Sequence, residues 1–215
     1  MEKYIKKHPV IAILRGITPE AVVEIAQCLY AHGIRVIEVP LNSPQAIKSI
    51  EKLVNALPDD CLIGAGTVFN IEQVIQIENV GGKLIVSPHC DPDLIQYCQS
   101  KNLHVIAGVA TPTEAILAYQ AGARWLKLFP AQTYGFSHVK ALKSVLPNDV
   151  HIIPVGGVSQ SNVLQWLSSG ASALGFGSSL YQSNDSLDET MAKVIKLNKV
   201  LNITPNTNIN KQWQT

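Results

Sequence analysis

One rhythm runs through the chain from Val10 to about Val200: a short β-branched apolar run, a turn, then a longer amphipathic stretch. The strand candidates are Val10–Leu14, Val36–Val39, Leu62–Gly64, Leu84–Val86, His104–Ala107, Trp125–Phe129, His151–Val155 and Ala173–Gly177. None alternates cleanly between apolar and polar residues over its whole length, which suits parallel strands covered on both faces. Thr18-Pro19, Ser43-Pro44, Asp91-Pro92 and Thr111-Pro112 each set a capping side chain before a proline at a first helical position. The cap accepts a free backbone N–H, and proline has none to strand. Gly33, Gly82, Gly122 and Gly170 sit where helices would stop.

Strands that alternate with helices build a parallel sheet, which either closes as a barrel or opens as a doubly wound sheet. Closure is favoured here. No Gly-x-Gly-x-x-Gly follows the first strand, whereas Gly156-Gly157 and Gly175-Phe176-Gly177-Ser178 accompany the last two strands. Such barrels hold phosphate at that place. The expected architecture is one α/β domain, a (β/α)8 TIM barrel, over residues 1–201. A polar tail over 202–215, rich in Asn, Thr and Gln, is expected to extend from it.

Composition narrows the function. Hydrophobic residues are 47% and charged residues 15% of 215, so the chain can bury a large core. The net charge of +1 shows no basic stripe, which argues against nucleic acid or an anionic membrane as partner. No apolar run is long enough to span a bilayer, and the charged start carries no signal-peptide cleavage site, so a cytoplasmic protein is expected. Cys28, Cys61, Cys90 and Cys98 form no C-x-x-C pair and are expected to be inert. The histidines are scattered, and His89, Cys90 and Asp91 are consecutive, which rarely lets three groups converge on one ion. No metal and no cofactor are expected.

Lys127 lies within the apolar run Trp125-Leu126-Lys127-Leu128-Phe129-Pro130. It points either into the barrel or outward under the helices, and in both places lost water lowers the pKa of an amine. A neutral amine attacks carbonyl carbon. The competing reading is a lysine that reaches solvent or forms a structural ion pair. Glu38, in Val36-Ile37-Glu38-Val39, is a second charge inside an apolar strand. Beside an imine-forming lysine it would move protons; otherwise it pairs structurally with Lys127 or Arg15.

Arg15 ends the first strand, with a fork suited to a carboxylate or phosphate, or to a structural pair. Gly64-Ala65-Gly66-Thr67 leaves room at the barrel mouth, where the Thr67 hydroxyl is a candidate ligand contact. Ser87-Pro88 ends the fourth strand, and Pro88 is a candidate wall of the site. Gly156 and Gly157, then Gly177 and Ser178, are candidates to present backbone N–H groups and a hydroxyl to phosphate, with helix N-termini behind them.

Ile37-Glu38-Val39, Gly64-Ala65-Gly66-Thr67-Val68, Leu126-Lys127-Leu128-Phe129-Pro130-Ala131, Val155-Gly156-Gly157-Val158 and Gly177-Ser178 together resemble the KDPG/KHG aldolase family, in family order from about Pro9 to Tyr181. The resemblance implies a class I lyase on a (β/α)8 barrel, a homotrimer that needs no metal. It implies that Lys127 forms a Schiff base with a phosphorylated 2-keto-3-deoxy sugar acid. It further implies that Glu38 moves protons, that Thr67 and Arg15 hold the pyruvyl carboxylate, and that Gly157 and Ser178 hold the phosphate. Leu14-Arg15-Gly16-Ile17, Pro40-Leu41-Asn42-Ser43-Pro44 and Val155-Gly156-Gly157 look like the branch that acts on 2-dehydro-3-deoxy-6-phosphogalactonate. The gluconate branch tends to carry arginine near Asn42 and threonine near Val155. The alternatives are the C4-epimeric 6-phosphogluconate substrate, a metal-assisted or other phosphate-binding barrel, and a phosphosugar-binding barrel without catalysis.

Overall fold

The computed structural model describes residues 1–6 and 8–204. In chain order the elements are α1 (Glu2–Ile5), β1 (Val10–Ile13), α2 (Val22–Ala31), β2 (Val36–Pro40), α3 (Ala46–Ala56), β3 (Leu62–Gly66), α4 (Ile71–Asn79), β4 (Leu84–Val86) and α5 (Pro92–Ser100). They continue as β5 (His104–Val109), α6 (Pro112–Gln120), β6 (Trp125–Leu128), α7 (Ala131–Tyr134), α8 (Phe136–Lys143), β7 (His151–Pro154), α9 (Val163–Ser168), β8 (Leu174–Phe176) and α10 (Leu187–Leu201). The strands pair in parallel in the order β7-β6-β5-β4-β3-β2-β1-β8, and a parallel bridge from Val155 to Gly175 joins the two edges. The expected barrel is therefore present, with every strand candidate at its place and boundaries shifted by a residue or two.

Strand periodicity divides the core into two layers. Val10, Ala12, Ile37, Val39, Ile63, Ala65, Leu126, Leu128 and Ile152 pack outward under the helices. Their alternates Ile11, Ile13, Val36, Leu62, Leu84, Ile106, Trp125 and Ile153 fill the barrel. Each fully buried Val, Leu or Ile contributes roughly 1.5–3 kcal/mol, so both faces of each strand must be apolar, as the sequence has them. Tyr4 and Ile5 of α1 join the inner layer and close its N-terminal end. The charged first residues thus contain a small helix that their composition does not announce.

Asp91 caps α5 through the N–H groups of Asp93 and Leu94, and Thr111 caps α6 in a reciprocal box with Glu114, as expected. Thr18-Pro19 and Ser43-Pro44 do not cap helices. α2 starts only at Val22 after a turn from Thr18, and α3 starts at Ala46 without a side-chain cap. Gly33, Gly122 and Gly170 take the left-handed conformation expected after a helix; in the α4–β4 turn Gly81 takes it in place of Gly82. α10 ends at Leu201, and past residue 204 the expected tail lies outside the described residues. Among the described residues no helix is long and apolar enough to cross a membrane.

Candidate active site

Period two settles where Lys127 points. Its neighbours Leu126 and Leu128 belong to the outer layer and Trp125 to the inner one, so the amine enters the barrel. The same parity, Ile37 and Val39 outward with Val36 inward, sends Glu38 inside. Lys127 is level with Gly108 and Ile153, and Glu38 with Ile13 and Gly64. Only 5% of Lys127 and 2% of Glu38 is exposed.

Glycines make room for Glu38 and for the Pro88 backbone. A Cβ on Gly66 would stand 2.1 Å from Glu38 Oε2, and one on Gly108 would stand 2.2 Å from the Pro88 carbonyl carbon. The Pro88 backbone thus packs against Gly108, the β5 position that pairs with Lys127. The Lys127 Nζ lies 4.8 Å from the centroid of the Phe129 ring, a distance at which an aromatic face attracts a cation.

Taking a charge out of water costs several kcal/mol per ion unless a partner compensates. Among the described residues no ion pair joins Glu38 to Lys127 or to Arg15, and Glu38 Oε2 has no hydrogen-bond partner. The structural-pair reading of these charges is thus not what the barrel contains. Burial dominates both titrations. It pushes the Glu38 carboxyl up to about 7 against the opposing pull of Lys127, Arg15 and the Gly66 N–H. It lowers the Lys127 amine, opposed by Glu38 and assisted by Arg15. Both groups are driven toward their neutral forms, the state in which the amine is a nucleophile.

At the mouth, Arg15 Nη1 donates to Asn42 Oδ1 at 2.8 Å and Nη2 reaches Thr67 Oγ1 at 3.5 Å. Thr67 holds φ of 58°, a left-handed backbone that β-branched residues rarely adopt and that costs of order 1–3 kcal/mol. On the opposite side Val155 is in the inner layer against Gly175. Gly156 and Gly157 have φ of 99° and 72°, so both turns need glycine.

The loops after β7 and β8 are tied together. Ser179 Oγ donates to the Val158 carbonyl at 2.6 Å, and Gln160 Nε2 to the Ser179 carbonyl at 2.8 Å. Gly156, Gly157, Gly177 and Ser178 are thereby brought into one patch. A Cβ at Gly177 would meet no heavy atom within 4 Å, and Ser178 is exposed. The helix N-termini expected behind this patch lie farther along: α9 begins at Val163 and α10 at Leu187, after a turn at 178–180.

Asn42 and Ser43 also belong to the mouth, and the Phe129 ring faces Lys127, none of which the residue types alone announce. Ser43 was read as a helix cap, yet its hydroxyl accepts the Gly16 N–H at 2.9 Å. Phe129 shares the inward parity of Lys127, a signal present in the sequence. Burial raises the pKa of all four thiols, and no disulfide joins them. A groove of about 610 Å³ lies around Lys3, Arg35 and Asp60 at the N-terminal end, without the buried amine and acid that mark the mouth.

Comparison with known proteins agrees with this geometry. A family model for KDPG and KHG aldolases matches residues 1–197. The 2-dehydro-3-deoxy-6-phosphogalactonate aldolase of Escherichia coli (strain K12) is 43% identical over 184 residues, covering 86% of this chain and 90% of the relative. A solved structure named native KDPGal superposes with a TM-score of 0.89 at 41% identity, covering 91% of this chain and 95% of that one. A KDPG aldolase from Legionella pneumophila, with pyruvate captured as a covalent carbinolamine intermediate, gives a TM-score of 0.80 at 30% identity, covering 92% and 95%. The chain belongs to the KDPG and KHG aldolase family, a family of lyases.

Proposed function

We propose that the chain is a Schiff-base aldolase that cleaves 2-dehydro-3-deoxy-6-phosphogalactonate to pyruvate and glyceraldehyde 3-phosphate. The observation that carries this reading is the Lys127 amine, buried inside the barrel with its pKa lowered, in a site that also holds the unpaired Glu38 acid. Nζ attacks the C2 ketone, and loss of water gives the iminium. Glu38 takes the C4 hydroxyl proton; the C3–C4 electrons flow to the iminium, giving an enamine and free glyceraldehyde 3-phosphate. The enamine is reprotonated at C3 from Glu38, and water releases pyruvate. The carbinolamine of the Legionella relative supports an amine nucleophile.

In this reading Arg15 and Thr67 hold the carboxylate, Pro88 walls the reacting carbons, and Gly156, Gly157, Gly177 and Ser178 bind the phosphate. None of the hydrogen bonds among the described residues uses the N–H groups of Gly157 or Ser178 as donors, which leaves them for an anion. Remote phosphate binding then positions the carbons that react. The apolar Val155, 9% exposed, offers no hydroxyl near C4, which favours the galactonate over the gluconate epimer. From the family resemblance we take a homotrimer and a place in galactonate catabolism within carbohydrate metabolism, and from the sequence a one-domain cytoplasmic protein.

Steady-state cleavage of the two C4 epimers, read as pyruvate release, tests the assignment. The galactonate epimer is expected to have the higher kcat/KM. A preference for the gluconate epimer would reassign the substrate, and ligand binding without turnover of either would favour a non-catalytic barrel.

A further inference from the structure

Arg15 is exposed at the end of β1, yet its side chain is held. Besides Asn42 Oδ1 at 2.8 Å, its guanidinium meets Thr67 Oγ1 at 3.5 Å. The next residue is held too. The Gly16 N–H donates to Ser43 Oγ at 2.9 Å, and Ser183 Oγ donates to the Gly16 carbonyl at 3.3 Å from the other side. Ser43 is buried, and α3 does not use its hydroxyl as a cap. Two consecutive residues of the β2–α3 loop therefore grip two consecutive residues of the β1 loop.

We infer that Asn42 is a positioning residue that sets the enzyme's affinity for the keto acid carboxylate through Arg15, with Ser43 anchoring the backbone beneath. This rests on the aldolase reading above. A long exposed arginine samples many rotamers, and ordering it before the ligand arrives removes that cost from binding. Asn42 also has the right charge for the task. Its amide oxygen takes one guanidinium N–H and leaves the positive charge uncompensated, with further donors free for a carboxylate in the planar fork. Among the described residues no carboxylate forms an ion pair with Arg15. An acid at position 42 would keep the geometry and compete with the substrate for the charge.

The test is steady-state kinetics of the full chain in the condensation direction, with pyruvate and glyceraldehyde 3-phosphate varied separately. Asn42→Ala is expected to raise the pyruvate KM about tenfold, the loss of one charge-assisted hydrogen bond. The aldehyde KM and the rate at saturating pyruvate should stay near wild type. Asn42→Asp, which retains an acceptor, is expected to raise the pyruvate KM at least as far. Ser43→Ala should raise it as well, and Ser43→Thr should restore it. Unchanged pyruvate KM in both Asn42 variants overturns the inference, as does a parallel rise in both KM values with a lowered Tm. A wild type that turns over normally while the variants match it overturns this inference alone; a wild type that condenses nothing overturns the aldolase reading and this inference with it.

Discussion

Gly66 lies so close to Glu38 that a Cβ at position 66 would stand 2.1 Å from Oε2 and 2.4 Å from both Cδ and Oε1. The acid is buried, with only 2% of its surface exposed. A glycine on β3 thus fixes the position of an acid on β2.

Gly66→Ala is therefore expected to displace the carboxyl while the outer core stays intact. A misplacement of about 1 Å at reacting groups costs roughly 10²-fold in rate. Turnover should fall by about that factor with a cooperative thermal transition preserved. Wild-type kcat in this variant would show that Glu38 tolerates the shift.

Glu38→Gln keeps the shape and removes the base. A positioned proton-transfer group contributes about 10²–10⁴-fold, and kcat should fall within that range. Imine formation with pyruvate should be less affected, because Lys127 and its burial remain. Equal loss of turnover and of imine would mean that Glu38 chiefly positions the lysine.

The pH dependence follows from the same acid. Its folded pKa, raised from 4.5 to about 7, means that the native state favours the neutral carboxyl. The stability that neutrality contributes is complete below about 4.5 and is lost as pH rises through about 7. Wild type should lose Tm relative to Glu38→Gln across that window, with the two converging at its acid end. Activity should run the other way: the base must be ionised and the lysine neutral, so kcat/KM should rise with pH through about 7. A Tm difference that does not vary with pH would contradict the burial of an ionisable acid at 38.

Ser186 caps α10 in a reciprocal box with Glu189, and α10 packs on α2. Ser186→Ala should cost about 1 kcal/mol, or roughly 2–4 °C in Tm for a chain of this size. Kinetic constants should be unchanged. No shift in Tm would indicate that the first turn of α10 frays without cost.

Much of this was legible because strand chemistry is local. Apolar runs covered on both faces gave the barrel, and charged residues inside them, Lys127 and Glu38, had nowhere unremarkable to go. Parity shows which residues share their face, but with both faces apolar only the packed layers show that this face is the inner one. What the sequence hid depends on contacts between distant segments. The Ser43 hydroxyl has two competing acceptor roles, and only the approach of Gly16 decides between them. The bottom helix α1 is too short to show a period, and Tyr4 and Ile5 reveal it only by closing the barrel. Gly66 reads as one more small residue until Glu38 is set beside it.

The central claim is a nucleophilic amine at position 127. Incubation with pyruvate, reduction with borohydride and peptide mass spectrometry test it directly. A pyruvyl mass on the peptide containing Lys127, lost in Lys127→Ala along with turnover (roughly 10⁴-fold or more for a covalent nucleophile) while the fold survives, is the predicted result. A folded wild type that carries no adduct, or a Lys127→Ala variant that retains robust cleavage, would contradict the account.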